Sequence, residues 1–164
     1  NMTDTMAGLS LLVNQNSPER DHALRAFYEQ WQSDRQVVDK WLTVQALSTA
    51  SDTLLRVKGL MKHSAFSIKN PNNVRALIGA FCRNNPINFH AKDGSGYQFL
   101  LEQILILDKL NPQVASRMLG AFNSWRQYDA TRQSLIKTVL STIANHDGLS
   151  PDVYEIVTKY LAAD

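Results

Sequence analysis

Apolar residues recur at intervals of three and four along most of this chain, the spacing that places side chains on one face of an α-helix. Leu24, Phe27, Tyr28 and Trp31 form one such stripe, and Val74, Leu77, Ile78 and Phe81 form another. Further stripes are Ile104, Leu107 and Leu110, then Leu135, Ile136, Val139, Leu140 and Ile143, then Val153, Ile156, Val157, Tyr160 and Leu161. Val37, Val38, Trp41 and Leu42, with Gln45 to Leu47, predict one more helix, and Leu54 to Met61 another. All five prolines follow Ser or Asn: Ser17-Pro18, Asn70-Pro71, Asn85-Pro86, Asn111-Pro112 and Ser150-Pro151. Each pair has the form of a helix start, because the side-chain oxygen caps a free N–H and proline gives up an N–H that had no partner. No stretch alternates strictly between turn residues as a strand would. The expected class is all-α, with eight or nine helices.

The starts at Pro71, Pro112 and Pro151 lie 41 and 39 residues apart. That interval matches the helix-pair period of HEAT and armadillo arrays, about 40 residues. The first two also repeat Leu77-Ile78-Gly79-Ala80-Phe81 as Met118-Leu119-Gly120-Ala121-Phe122 at the same offsets. The expectation is an irregular α-solenoid of HEAT/armadillo-like helix pairs, with a plain helical bundle as the alternative.

The 164 residues are 44% hydrophobic and 20% charged, enough to build a sizeable core and too apolar for a disordered chain. The longest aliphatic run, Ile104 to Leu107, is far too short to span a membrane, and no signal peptide is visible. The lone Cys82 cannot form an internal disulfide and fits a reducing compartment. The formal charge of +2 hides segregation. Between Thr53 and Lys92 there is no acid, but there are Arg56, Lys58, Lys62, Lys69, Arg75, Arg83 and Lys92. Lys109 to Tyr128 is also acid-free, with Lys109, Arg117 and Arg126. These charges are either simply solvated or form a basic surface for an anionic group or acidic partner.

Arg75 precedes Gly79 by four residues and Arg117 precedes Gly120 by three, so each arginine shares a helix face with its glycine. Side by side, such helices would form a shallow groove whose guanidinium groups grip a carboxylate or peptide carbonyl through forked hydrogen bonds. The alternative is two surface arginines beside glycines needed for close helix packing. Catalytic patterns are missing. His22, His63, His90 and His146 form no His-x-x-x-His pair, and no cysteine pair offers a zinc site. Cys82, at the end of an apolar helix, reads as buried packing. The polar segment His90 to Tyr97 contains Gly94-Ser95-Gly96 without a preceding strand or third glycine, so it reads as a loop in which Asp93 or Ser95 caps a helix near Tyr97.

Several longer strings carry a resemblance. They are Asn1-Met-Thr-Asp4, Val37-Val-Asp-Lys-Trp41, residues 70–81 from Asn70-Pro71 to Phe81, Asn85-Pro86 with residues 89–97, and Asn111-Pro-Gln-Val-Ala-Ser-Arg117. With these the chain closely resembles, over residues 1–164, the C-terminal helical domain of the aminopeptidase N family, zinc-dependent alanyl aminopeptidases of the gluzincin group. The resemblance implies a single helical domain excised from a larger enzyme, with residues 4–14 completing a helix. It also implies an α-solenoid bowl over an active site that lies elsewhere in the polypeptide. The zinc, its ligands and the general base would belong to the catalytic domain, so no cofactor is expected in this chain and no catalytic residue. Arg75 and Arg117 match arginines that line the cavity and meet the C-terminal side of a bound peptide. The implied partners are the catalytic domain of the same polypeptide and short peptides, in the cytoplasm, without a membrane. The competing expectation is a HEAT-like module whose basic surface binds an acidic protein or nucleic acid. Nucleic acid is the poorer fit, because Trp31, Trp41 and Trp125 are dispersed and the first two lie on apolar stripes.

Overall fold

The computed structural model describes residues 1–162. Each proline pair begins a helix. Ser17, Asn70, Asn111 and Ser150 accept backbone N–H bonds from the first turns of α2 (Pro18–Trp31), α5 (Pro71–Val74), α9 (Pro112–Met118) and α11 (Pro151–Leu161). Asn85 Oδ1 does the same for α7 (Pro86–Phe89), taking the Asn88 N–H at 3.2 Å. Asn1 and Asp34 cap α1 (Met2–Leu12) and α3 (Arg35–Ala46) in the same manner. The remaining helices are α4 (Thr53–Leu60), α6 (Ala80–Asn84), α8 (Ser95–Leu110) and α10 (Ala130–Ala144). Residues 71–84 are helical throughout; counted as one helix, they bring the described residues to ten, and these contain no strand. The all-α expectation holds, with slightly more helices than the stripes alone implied.

The chain divides into two compact units, Asn1–Asn88 and Phe89–Asp164. In the first, α3 is the central element and packs against α1, α2, α4 and the 71–84 helix. Its Val37, Val38, Trp41, Leu42, Val44, Gln45 and Ala46 are buried, so apolar spacing covers more than one face, as an element surrounded by neighbours requires. The short α3–α4 corner is held by polar bonds. Asn85 Nδ2 donates to the Ala46 and Ser48 carbonyls at 2.9 and 2.8 Å, and Thr53 Oγ1 donates to the Ser48 carbonyl at 3.0 Å.

In the second unit α8 packs on α9 and α10, and α11 packs on the same two helices. Phe99, Leu100, Ile104 and Leu107 of α8 are at most 1% exposed. Burying each side chain of this size stabilises by about 1.5–3 kcal/mol before chain entropy is subtracted. The α10 stripe sits as its spacing predicts, with Ile136, Val139, Leu140 and Ile143 buried.

The matched segments diverge at their glycines. Arg75–Gly79 forms a π turn inside the 71–84 helix, whereas Leu119–Phe122 tightens into a 3-10 turn. A π turn displaces backbone carbonyls from the regular ladder. Here the Ala76 carbonyl accepts the Thr43 hydroxyl of α3 at 2.6 Å. That partner is 33 residues away. Thr43→Val, which keeps the shape and removes the donor, is expected to destabilise the protein by about 1 kcal/mol. The shift in urea midpoint measures it, and an unchanged midpoint would mean the hydroxyl does not support the π turn.

Candidate functional site

Arg75 and Arg117 are both solvent-exposed, Arg75 in the first unit and Arg117 in the second. Arg75 opens the π turn, and its Nη1 donates to Asn72 Oδ1 at 3.2 Å. Arg117 lies in the last turn of α9, where a cation is favoured by the helix dipole. The glycines do not share this exposure. Gly79 is buried on a segment that packs against α3, and Gly120 is half-buried. Gly79 therefore does not present an open surface beside Arg75.

Most of the acid-free stretch is solvated. Lys58, Lys62, Lys69, Arg75, Arg83 and Lys92 are exposed, while Arg56 pairs with Asp21 at 3.1 Å. Trp41 and Trp125 are only 5% exposed and donate their indole N–H groups to the carbonyls of Leu24 and Tyr160. Both indoles are thereby fixed against the fold.

The 90–97 loop is a built structural corner. Gly94 occupies the N-cap position of α8, and the preceding Asp93 Oδ1 accepts the Ser95 N–H at 2.9 Å. The bonds from Ser95 hold the Asp93 carboxyl below the usual carboxylate range. Gly94 takes the left-handed conformation (φ 77°) that favours glycine. Gly96 is required for a different reason, since an added Cβ would stand 2.2 Å from the Phe89 carbonyl oxygen. Tyr97 is wholly buried, with its hydroxyl 2.7 Å from His90 Nδ1, and His90 stacks on Tyr128 at 4.2 Å between centroids. Burial pushes the Tyr97 phenol up to about 12 and, with the neighbouring Arg132, lowers the His90 imidazole. Arg132 Nε donates to the His90 carbonyl at 2.7 Å and its Nη1 pairs with Asp129 at 3.0 Å. These groups satisfy one another.

Cys82 is buried, and desolvation raises its thiol far above the range of a thiolate nucleophile. Among the described residues no three His, Cys, Asp or Glu side chains are grouped to hold a metal ion, so these residues do not fit the zinc that the family resemblance implies for the parent. Among the described residues no helix is long and apolar enough to cross a membrane.

Two features were not anticipated from sequence. Arg20, 1% exposed, forks onto Asp52 with Nη1 and Nη2 at 3.2 and 2.9 Å from the two carboxylate oxygens. Its Nη2 also donates to Asn16 Oδ1 at 3.1 Å. Its spacing with Leu24 and Phe27 put it on the buried stripe of α2, a signal that was present although its partner was not legible. The second is an aromatic-lined cleft formed by α2, α3, α4 and the residues after α4.

The family model described as "Domain of unknown function (DUF3458_C) ARM repeats" matches residues 1–162. The chain is 44% identical over 162 residues to Aminopeptidase N of Escherichia coli (strain K12), covering 99% of this chain and 19% of that protein. It is 38% identical over 161 residues to Aminopeptidase N of Caulobacter vibrioides, covering 98% of this chain and again 19% of the relative. Among solved structures, Legionella pneumophila aminopeptidase A in complex with aspartic acid aligns with a TM-score of 0.92 at 40% identity, over 98% of this chain and 19% of that one. The chain thus spans about a fifth of the length of the relatives it matches. The repeat architecture read from the 41- and 39-residue intervals agrees with the ARM-repeat description. This chain belongs to the DUF3458_C ARM-repeat family and is homologous to the C-terminal domain of aminopeptidase N.

Proposed function

We propose that this chain, residues 1–164, is the non-catalytic C-terminal domain of a broad-specificity zinc aminopeptidase. In this reading it encloses the catalytic cavity and limits access to short peptides. Arg75 and Arg117 then line the cavity and meet the C-terminal side of a bound peptide, while the zinc and the reacting groups belong to the catalytic domain of the same cytoplasmic polypeptide. The observation that carries the reading is end-to-end similarity to one-fifth of each relative, with 99% of this chain aligned to the E. coli enzyme. The exposure of both arginines supports it, because a guanidinium must reach solvent to fork onto a carboxylate or carbonyl. Such a domain contributes positioning and exclusion of bulk water rather than bond cleavage.

In the full-length enzyme, Arg75→Ala and Arg117→Ala are each expected to raise KM for tripeptides about five- to tenfold. Single-residue chromogenic substrates, which end before the arginines, should change by less than about twofold. Equal effects on both substrate classes would remove the positioning role. The isolated chain is expected to bind no stoichiometric zinc and to cleave no aminoacyl reporter; turnover that survives repurification would overturn the non-catalytic assignment.

A further inference from the structure

We propose that the cleft between α2, α3 and α4 binds a small organic monocarboxylate with an aromatic or branched aliphatic body. Its volume is about 340 Å³, at the small end of the range that holds organic ligands. Leu24 and Leu60 supply aliphatic surface, three rings supply aromatic surface, and polar and charged side chains complete the lining. Tyr28 lies 4.7 Å from Trp41 and 4.8 Å from His63 between ring centroids, and Trp41 lies 5.3 Å from His63.

The rings are fixed before any ligand arrives. Trp41 Nε1 donates to the Leu24 carbonyl at 2.9 Å, and Gln45 Nε2 donates to the Trp41 carbonyl at 3.0 Å. His63 Nδ1 accepts the Ala65 N–H at 3.0 Å. That acceptance assigns the proton of the neutral imidazole to Nε2, which makes it a donor. No described residue accepts from Nε2. A preorganised pocket loses less conformational entropy on binding than one that must order its walls.

The charge on the lining selects the ligand class. Arg25, Arg56 and Asp21 all border the cleft. Asp21 is committed, with Oδ1 at 3.1 Å from Arg56 Nη1 and 3.5 Å from Arg20 Nε. Arg25 is exposed and has no acidic partner among the described residues. One positive charge therefore stands uncompensated at the edge of a ring-walled cleft of mixed polarity. A cation is repelled there, and a neutral apolar molecule forgoes the guanidinium. A carboxylate on a compact apolar body satisfies both, with its oxygens forked on Arg25 and its body against Tyr28 and Trp41.

The test uses 3-phenylpropanoate and its uncharged amide as probes, by isothermal titration and saturation-transfer NMR on the full-length polypeptide that carries this chain. The acid is expected to bind saturably with Kd on the order of 1 mM or tighter, and the amide about tenfold more weakly. Arg25→Gln should weaken the acid about tenfold without changing the melting temperature, because Arg25 holds nothing in the fold. Lys40→Gln removes an exposed cation on α3 that does not line the cleft and should leave binding unchanged. The proposal is overturned by equal affinity for acid and amide, by wild-type affinity in Arg25→Gln, by equal losses in Arg25→Gln and Lys40→Gln, or by no saturable binding at about 10 mM.

Discussion

Gly96→Ala is expected to destabilise the second unit by about 3 kcal/mol or more, one of the two largest effects of a single substitution in this chain. The first turn of α8 crosses the backbone at Phe89, and a Cβ on residue 96 would lie 2.2 Å from the Phe89 oxygen and 2.8 Å from both its carbonyl carbon and its Cα. The obstacle is backbone, so no side-chain rotation relieves it. Either α8 or the 86–89 helix must move, and Phe89, Tyr97 and Phe122, whose rings pack at 5.3–5.8 Å, would separate with them. Denaturant unfolding measures the loss, and hydrogen exchange across α8 should show it locally. Gly59→Ala is the control: residue 59 is exposed on α4 with nothing within 4 Å of an added Cβ. There alanine should stabilise, by up to about 1 kcal/mol, because it restricts the unfolded chain and suits the helix. If both glycine variants behaved alike, close approach at Phe89 would not be what requires Gly96.

Arg20→Met is expected to cost about 3–5 kcal/mol, the range for removing one partner of a buried charge pair. Partial exposure of the Asp52 side chain, 24%, puts the expected value at the lower end. The loss comes from Asp52 left without its fork and from Asn16 left without its donor, more than from the net strength of the pair. The Arg20 hydrogen bond is the main cause that holds the Asp52 carboxyl below its ordinary range. A carboxyl with a lowered folded-state pKa stabilises the fold above its unfolded pKa of about 4, and that contribution disappears as pH falls through the lower folded value. The gap in stability between wild type and Arg20→Met should thus be constant near neutrality and shrink on acidification. Paired urea titrations at pH 7 and pH 3 measure it; a gap that stays the same at pH 3 would show that Arg20 acts through packing alone.

Legibility in sequence followed the range of the interaction. The caps at Ser17, Asn70, Asn111 and Ser150 act on N–H groups two or three residues away, and every one was visible as Ser or Asn before proline. Buried stripes such as Ile136, Val139, Leu140 and Ile143 were equally plain, because helical spacing and burial on one face are the same fact. The candidate arginines were legible as residues and as exposed positions. The Gly79 face was not, because its burial depends on a π turn whose carbonyl partner, Thr43, lies 33 residues earlier. The aromatic cleft joins Tyr28, Trp41 and His63 from three separate elements, with no motif linking them.

What this amino-acid order determined by itself is the all-helical class, the places where most helices begin, the repeat interval, the basic middle of the chain and the absence of a catalytic motif. All of these depend on residue type and on neighbours within about two helical turns. Tertiary structure alone decided that two matched segments sharing Gly-Ala-Phe form a π turn in one place and a 3-10 turn in the other. It also decided that Arg20 is buried on Asp52 and that Gly96 lies under a backbone carbonyl. For Arg20 and Thr43 the partner is more than 30 residues away, and no local pattern specifies it. Phe89 is only seven residues before Gly96, but the chain turns between them and the close approach exists only in the folded corner.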